Sequence, residues 1–358
     1  MKIAIIIGTR PEIIKMSPVI RECEKRHCDY FIIHSNQHYS ENLDEIFFNQ
    51  LKLPQPKYNL NVGSGSHGLQ TGKILIELEK VLLNEKPHIV LVEGDTNTVL
   101  AGALAASKLH VKVGHVEAGL RSYDWLMPEE KNRLLTDHLS DYLFTPTENS
   151  KKNLLNEGIK KEKIYVTGNT IVDALYQNLK LTDSDQVLKN LGIKTKNYFL
   201  VTVHREENTN NVTRLKSILK GLESISKIFN KEVIYPIHPR TKKMLEKYRI
   251  LVSNSVRLIE PVGYIEFLGL EKNAGLILTD SGGVQEEACI LDVPCVTLRD
   301  NTERPETIKV GANILAGTEV NNILECTKTK MENNSNWGNP FGDGKSGESI
   351  INIIFNCN

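Results

Sequence analysis

The chain reads as an α/β protein made of two doubly wound, Rossmann-like domains facing each other across a cleft. Three observations predict this. Short runs rich in Ile, Val and Leu alternate with longer amphipathic stretches, the pattern of right-handed βαβ units. The alternation runs through the chain twice. The length, 358 residues, suits two domains of about 150–200 residues each.

The first series of strands is Lys2–Gly8, Tyr30–His34, Ile89–Glu93, Lys112–Val116, Tyr142–Thr145 and Ile164–Thr167. The second is Tyr198–Val203, Glu232–Tyr235, Val256–Leu258, Gly275–Thr279, Pro294–Leu298 and Asn313–Leu315. Most are near-continuous apolar runs, as strands buried on both faces must be. Between them, helices are predicted over Glu12–Lys25, Leu69–Leu83, Thr98–Lys108, Glu129–Leu139, Val212–Phe229 and Val284–Leu291. Asn169–Lys196 is polar and mostly helical, a hinge between the series. Ser346–Phe355 is apolar on one face and reads as a closing helix.

Composition narrows the function. Lys+Arg and Asp+Glu are 44 each, so net charge is zero, and aromatics are 6%. Binding nucleic acid by bulk charge or base stacking is therefore disfavoured, and an anionic ligand must be held by local groups. The apolar run Ile3–Ile7 is too short for a signal peptide or a membrane span. The six cysteines include no C-x-x-C pair; they read as scattered thiols of a reducing cytoplasm, with no metal site.

In doubly wound sheets ligands bind at the carboxyl ends of the strands, so each motif is tested by whether it follows a strand. Gly63-Ser-Gly65-Ser-His-Gly68 fails, because it follows a polar, Pro-containing stretch. Gly344-Lys345-Ser346 fails as a P-loop, since Asn339 occupies the position of the first glycine. Other segments pass. Gly8-Thr9-Arg10-Pro11-Glu12 closes the first strand; Thr9 is expected to cap the helix, with Arg10 and Lys15 facing the cleft beside it as an anion site. Asp95 follows Ile89–Glu93 and Glu117 follows Lys112–Val116, at one sheet edge. Glu129 opens a helix after the long loop 118–127. His204 and His238 follow successive strands of the second series. Thr279-Asp-Ser281-Gly282-Gly283 is a strand, a small-residue turn and a helix start, suited to phosphate. Glu287, one turn on, suits a ribose diol, and Arg304 supplies a cation after the next strand.

In order, GTRPE-I-I-K (8–15), GDT (94–96), GHVEAGLR (114–121), PEE-K-NR (128–133), TGNT-I-VDAL (167–175), TDSGG-V-QEEA (279–288), TERPE (302–306) and NPFGDG (339–344) span nearly the whole chain. With them the sequence resembles the non-hydrolysing UDP-N-acetylglucosamine 2-epimerases, which have the GT-B architecture. The resemblance implies interconversion of UDP-N-acetylglucosamine and UDP-N-acetylmannosamine without cofactor or metal, feeding surface polysaccharide or glycan precursor synthesis. It implies a domain of residues 1–168 plus roughly 342–358 carrying the catalytic Asp95, Glu117 and Glu129. A second domain, 169–341, would carry the catalytic His204 and the UDP site of Ser281, Gly282, Gly283 and Glu287. Arg10 and Arg304 would lie near the phosphates, and uracil against Val262–Phe267. Val262 stands where many members have glutamine, leaving backbone contacts and Phe267. Gln37, His38 and Gln70 match the region where bacterial members bind a second UDP-N-acetylglucosamine as activator. A cytoplasmic homodimer, without nucleic-acid or membrane partners, is expected. The rival readings are a UDP-sugar-dependent glycosyltransferase or a hydrolysing epimerase on the same fold.

Overall fold

Each of the expected strands is present in the computed structural model, with ends within one residue of those read from the sequence. The structure describes residues 1–37, 47–332 and 336–356. The chain divides into two compact units, residues 1–176 with 341–358 and residues 177–340.

The first unit runs β1 (Lys2–Ile7), α1 (Arg10–Lys25), β2 (Asp29–His34), β3 (Tyr58–Asn59), α2 (His67–Glu85), β4 (Ile89–Glu93), α3 (Asn97–Lys108), β5 (Lys112–Val116), α4 (Pro128–Leu139), β6 (Tyr142–Thr145), α5 (Glu148–Asn156), β7 (Ile164–Val166) and α6 (Thr170–Leu179). The second runs α7 (Ser184–Leu191), β8 (Tyr198–Thr202), α8 (Glu206–Thr209), α9 (Val212–Phe229), β9 (Glu232–Pro236), α10 (Pro239–Tyr248), β10 (Val256–Ile259), α11 (Tyr264–Asn273), β11 (Leu276–Thr279), α12 (Gly282–Ile290), β12 (Cys295–Thr297), α13 (Pro305–Lys309), β13 (Asn313–Leu315) and α14 (Val320–Glu332). The closing helix α15 (Ser346–Asn356) belongs to the first unit. It packs on α1, where Gly347 lies against the backbone of Pro18 and Arg26 Nη1 donates to Asn352 at 2.7 Å.

The strand orders are β3-β2-β1-β4-β5-β6-β7 and β10-β9-β8-β11-β12-β13, and every described pairing is parallel. In each sheet the order reverses beside its first strand, between β1 and β4 and between β8 and β11. Those are the positions where open α/β sheets place their ligands. The strands are buried on both faces: Ile3, Ile5, Val90, Leu91, Leu200 and Ile277 have almost no exposed surface. Fully burying a side chain of this size stabilises by about 1.5–3 kcal/mol relative to leaving it exposed, which is why these runs, and not the polar loops, set the architecture.

Two expectations need correcting. The chain has a strand the sequence did not announce, β3, paired with β2 through Ile33↔Tyr58 and His34↔Asn59. It is two residues long and lies on the sheet edge near Pro54 and Pro56, too short for any periodicity to register. The Thr9 side chain does not cap α1. Instead Glu12 reaches back, accepting from the Gly8 N–H at 2.6 Å and from the Thr9 hydroxyl at 3.0 Å. A carboxylate offers more lone pairs than a hydroxyl and satisfies both donors at once.

Candidate functional site

In the first unit, the parallel register of β4 and β5 puts Glu93 opposite Val116, so the residues that follow both strands share one sheet edge. Asp95 is half-buried and accepts from Arg133 Nη2 at 2.6 Å; its carbonyl accepts from Asn132 at 2.9 Å. Glu117 is buried at φ +68°, a left-handed conformation rare for a residue with a Cβ. Such local strain is concentrated at functional positions. Its Oε1 accepts from Lys15 Nζ at 2.5 Å and Asn169 Nδ2 at 3.4 Å. Opposite it, Gly94 holds φ +86°, and a Cβ there would sit 3.9 Å from Glu117 Oε2.

Pro128-Glu129-Glu130 opens α4, and its two acids differ. Glu130 is buried, accepting from the Ser122 and Tyr123 N–H groups at 3.0 and 2.9 Å and from Arg133 Nη1 at 2.6 Å. Burial opposes its ionisation, but those donors outweigh it and hold its pKa below the usual value. Glu130 thus anchors the 118–127 loop, and Arg133 ties that anchor to Asp95. Glu129 stays half-buried on the first turn. Beneath them His115 offers one ring nitrogen to Asp137 at 2.6 Å and the other to the Gly94 carbonyl at 2.9 Å. Arg121 completes this layer on Asp137 at 2.7 Å.

Lys15 departs from expectation. It is not a phosphate-facing cation beside Arg10 but a buried one, 2.5 Å from Glu117 and 3.5 Å from Glu93. Five residues along a helix is a rotation of roughly 140° between side chains, so the exposed Arg10 and the buried Lys15 lie on different faces of α1. Gln37 and Gln70 also turn inward. Gln70 donates to the carbonyls of Gln37 and Gly63, each at 3.0 Å, and accepts from Asn97 at 2.7 Å, while Gln37 accepts from Thr98 at 2.8 Å. His38 lies outside the described residues.

In the second unit a cavity of about 200 Å³ is lined by His204, His238, Val262, Phe267 and Ser281, together with Thr202, Val203, Pro236, Pro261 and Val284. The structure therefore brings together five of the residues singled out from the sequence. The ring centroids of His204 and His238 are 5.6 Å apart. His238 caps α10, accepting from the Arg240 N–H at 3.2 Å; burial, then His204 and Arg240, lower its pKa.

Ser281 is the N-cap of α12 but makes no side-chain cap bond. The N–H groups of Gly282 and Gly283 stand in the first turn, where no intrahelical acceptor exists. The anchor of this turn is Asp280, fully buried. It accepts from the His204 N–H at 3.1 Å, the Arg205 N–H at 3.0 Å and Asn208 at 3.1 Å, and lies 3.3 Å from His204 Nδ1. Burial alone would raise its pKa, but His204, Arg205 and Asn208 outweigh that and hold it below the ordinary value. Glu287 is buried, accepting from the Tyr264 hydroxyl at 3.2 Å. Next to it Glu271 is completely buried and raised well above its normal pKa by burial and by Glu287. Arg304 is buried with its Nε 2.7 Å from the fully buried Glu286.

Sequence reasoning passed over Glu93, Arg133, Asp280, Glu271 and Tyr264. Asp280 and Arg133 lie inside motifs already quoted, so their signal was available. Tyr264 lies within the Val262–Phe267 segment, Glu93 read as the last residue of a strand, and Glu271 carries no sequence signal at all.

A sequence model of the UDP-N-acetylglucosamine 2-epimerase family matches residues 21–355. The UDP-N-acetylglucosamine 2-epimerase of Methanocaldococcus jannaschii is 61% identical over 361 residues, covering 99% of both chains. That of Methanococcus maripaludis is also 61% identical, over 99% of this chain and 98% of its own. A crystal structure of the M. jannaschii enzyme in complex with UDP-GlcNAc and UDP superposes with a TM-score of 0.93 at 60% identity, covering 99% of this chain and 100% of that one. The chain therefore belongs to the UDP-N-acetylglucosamine 2-epimerase family.

Proposed function

We propose that this chain is an isomerase that interconverts UDP-N-acetylglucosamine and UDP-N-acetylmannosamine, conserving the nucleotide sugar. The hydrogen at C2 of the sugar has no adjacent carbonyl to acidify it. Breaking the C1–O bond to UDP puts positive charge on the ring and makes that proton removable. The path is then elimination of UDP to a glycal, followed by re-addition with a proton delivered to the other face. Two faces require more than one proton-transfer group, held in unlike environments.

The observation that carries this reading is the unequal setting of the acids at the ends of β4 and β5. Asp95 is half-exposed on Arg133, Glu117 is buried on Lys15, and Glu129 is half-buried on the first turn of α4. Asp95 is the proposed base at C2, with Glu117 and Glu129 sharing proton delivery. In the second unit the turn 281–283 and Glu287 hold the UDP phosphates and ribose, Val262 and Phe267 the uracil, and His204 and Arg304 support the leaving diphosphate. The names of the relatives, a homologous complex with UDP-GlcNAc and UDP among them, support this substrate. A cytoplasmic homodimer belongs to the same proposal. Among the described residues no helix is long and apolar enough to cross a membrane.

Anion-exchange analysis of the chain incubated with UDP-N-acetylglucosamine tests the reading. A mixture of two UDP-sugars is expected. Free N-acetylmannosamine with UDP would mean a hydrolysing enzyme, and UDP formed only with an added acceptor a transferase. Starting from UDP-N-acetylmannosamine, with and without added UDP-N-acetylglucosamine, tests activation through the region of Gln37, His38 and Gln70.

A further inference from the structure

The end of β4 carries an acid that the path above does not use. Glu93 is buried, with its Oε1 lacking a hydrogen-bond partner and 3.5 Å from Lys15 Nζ. The groups facing it are Lys15 and Glu12 from α1 and Glu117 from the end of β5. Among the described residues Lys15 is the one cation it meets, and Lys15 lies a full ångström nearer to Glu117, at 2.5 Å. Two carboxyls and one ammonium in a dry site cannot all be charged without leaving one anion uncompensated, at a cost of several kcal/mol. The nearer acid takes the cation; the farther one must be neutral. Burial pushes Glu93 well above the carboxylate range and Glu117 pushes it further, outweighing Lys15. Both carboxyls stand on the same Lys15 Nζ, and of a neutral carboxyl and a carboxylate sharing one ammonium only the neutral one has a proton to donate.

We propose that Glu93 and Glu117 hold a single exchangeable proton between them, with Glu93 storing it and Glu117 passing it to and from the sugar. When the pair acts as an acid, the O–H bond of Glu93 breaks as one forms on Glu117, and Glu117 gives that proton to C2. Glu93 and Glu117 are then both carboxylates against Lys15, the uncompensated state, which lasts until a proton returns to the pair. When the pair acts as a base, the same proton returns from C2 to Glu117 and moves back to Glu93. Glu93 does not touch the substrate; it is a positioning residue that acts through Glu117. Lys15 keeps the pair from holding two protons, and Glu12, when ionised, adds a further push against charge on Glu93. This inference rests on the epimerase reading and on the role of Glu117 within it.

The test compares Glu93→Gln and Glu93→Asp with the unaltered chain in the same UDP-sugar assay, recording kcat and KM against pH. Glu93→Gln keeps the shape and the donor but cannot release a proton. Its kcat should fall about 10²-fold, the lower end of what a proton-transfer group contributes, with KM and UDP affinity by calorimetry unchanged. The alkaline limb of its kcat profile should move down by about one pH unit or more, because Glu117 alone beside Lys15 loses its proton readily. Glu93→Asp should recover part of kcat. Glu93→Gln matching the unaltered chain in kcat and pH profile would overturn the inference while leaving the epimerase reading intact. A Glu93→Gln chain that binds UDP normally but loses kcat with no change in profile would also overturn it, since that is a structural effect. Absence of epimerisation in the unaltered chain defeats both.

Discussion

Glu93 and Asp280 occupy matching places in the two units. Each stands where a parallel strand ends beside the first strand of its sheet, β4 next to β1 and β11 next to β8. Each is buried, and each precedes a short turn into a helix. Their charge states are opposite. Asp280 meets three N–H donors and a histidine ring, and is held ionised. Glu93 meets a shared lysine at 3.5 Å and another carboxyl, and is held neutral. The same topological position thus yields a fixed anion or a proton store, according to whether the neighbouring strand end supplies backbone amides or an acid. On the proposed reading, the anion in the second unit braces a turn for ligand and the acids in the first move protons.

Substitutions at these two edges separate the two roles. The largest effect should come from Asp95→Asn, which removes the proposed base while leaving Arg133 its partner Glu130. Turnover should drop by about 10³-fold or more with UDP affinity by calorimetry unchanged. Full activity would take Asp95 out of the chemistry.

Asp280→Ala should cost about 3–5 kcal/mol of stability in urea or thermal unfolding, because its buried donors lose their acceptor. UDP binding should weaken with it. A cost below about 1 kcal/mol would mean that water replaces the carboxylate, and the comparison with Glu93 would lose its basis.

Glu12 sharpens the contrast through pH. Burial, reduced by Thr96, Gly8 and Thr9, pushes its pKa up to about 7. A raised carboxyl contributes its stability below the unfolded value near 4.5, and that contribution is lost as pH rises through 7. Across this window the loss amounts to about 3 kcal/mol at 1.36 kcal/mol per pH unit. Glu12→Gln should flatten the fall in stability between about pH 4.5 and 7, measured by thermal unfolding in a buffer series. An equal fall in the variant would assign the pH dependence elsewhere.

Ser281→Ala should have the smallest effect on the fold, within about 0.5 kcal/mol, because the hydroxyl makes no cap bond to α12. Its effect should appear in KM for the UDP-sugar. A large loss of stability would make Ser281 part of the scaffold instead of the ligand turn.

The fold was legible because parallel strands buried on both faces leave continuous Ile/Val/Leu runs, as in Ile3–Ile7 and Ile89–Val92. Strand β3 was not, since two residues cannot show a pattern. In the second unit the strand-end rule led to His204, His238 and Ser281, which line one cavity. The rule fails for what holds such residues. Lys15 was misread because its partners, Glu93 and Glu117, are distant in sequence and only the register of β4 with β5 brings them together. Asp280 was visible in its motif but hidden in role, because its donors come from the turn after β8 and from α8, some 75 residues earlier. Side-chain identity marks what faces a ligand; pairing across the sheet decides which of those groups is charged.

The most direct measurement of the account is turnover of UDP-N-acetylglucosamine in deuterated water, with the two UDP-sugars separated by anion exchange and weighed by mass spectrometry. The proposed elimination and re-addition predicts UDP-N-acetylmannosamine carrying deuterium at C2. Product that forms with its original C2 hydrogen throughout, or nucleotide released with no UDP-N-acetylmannosamine at any time, would contradict it.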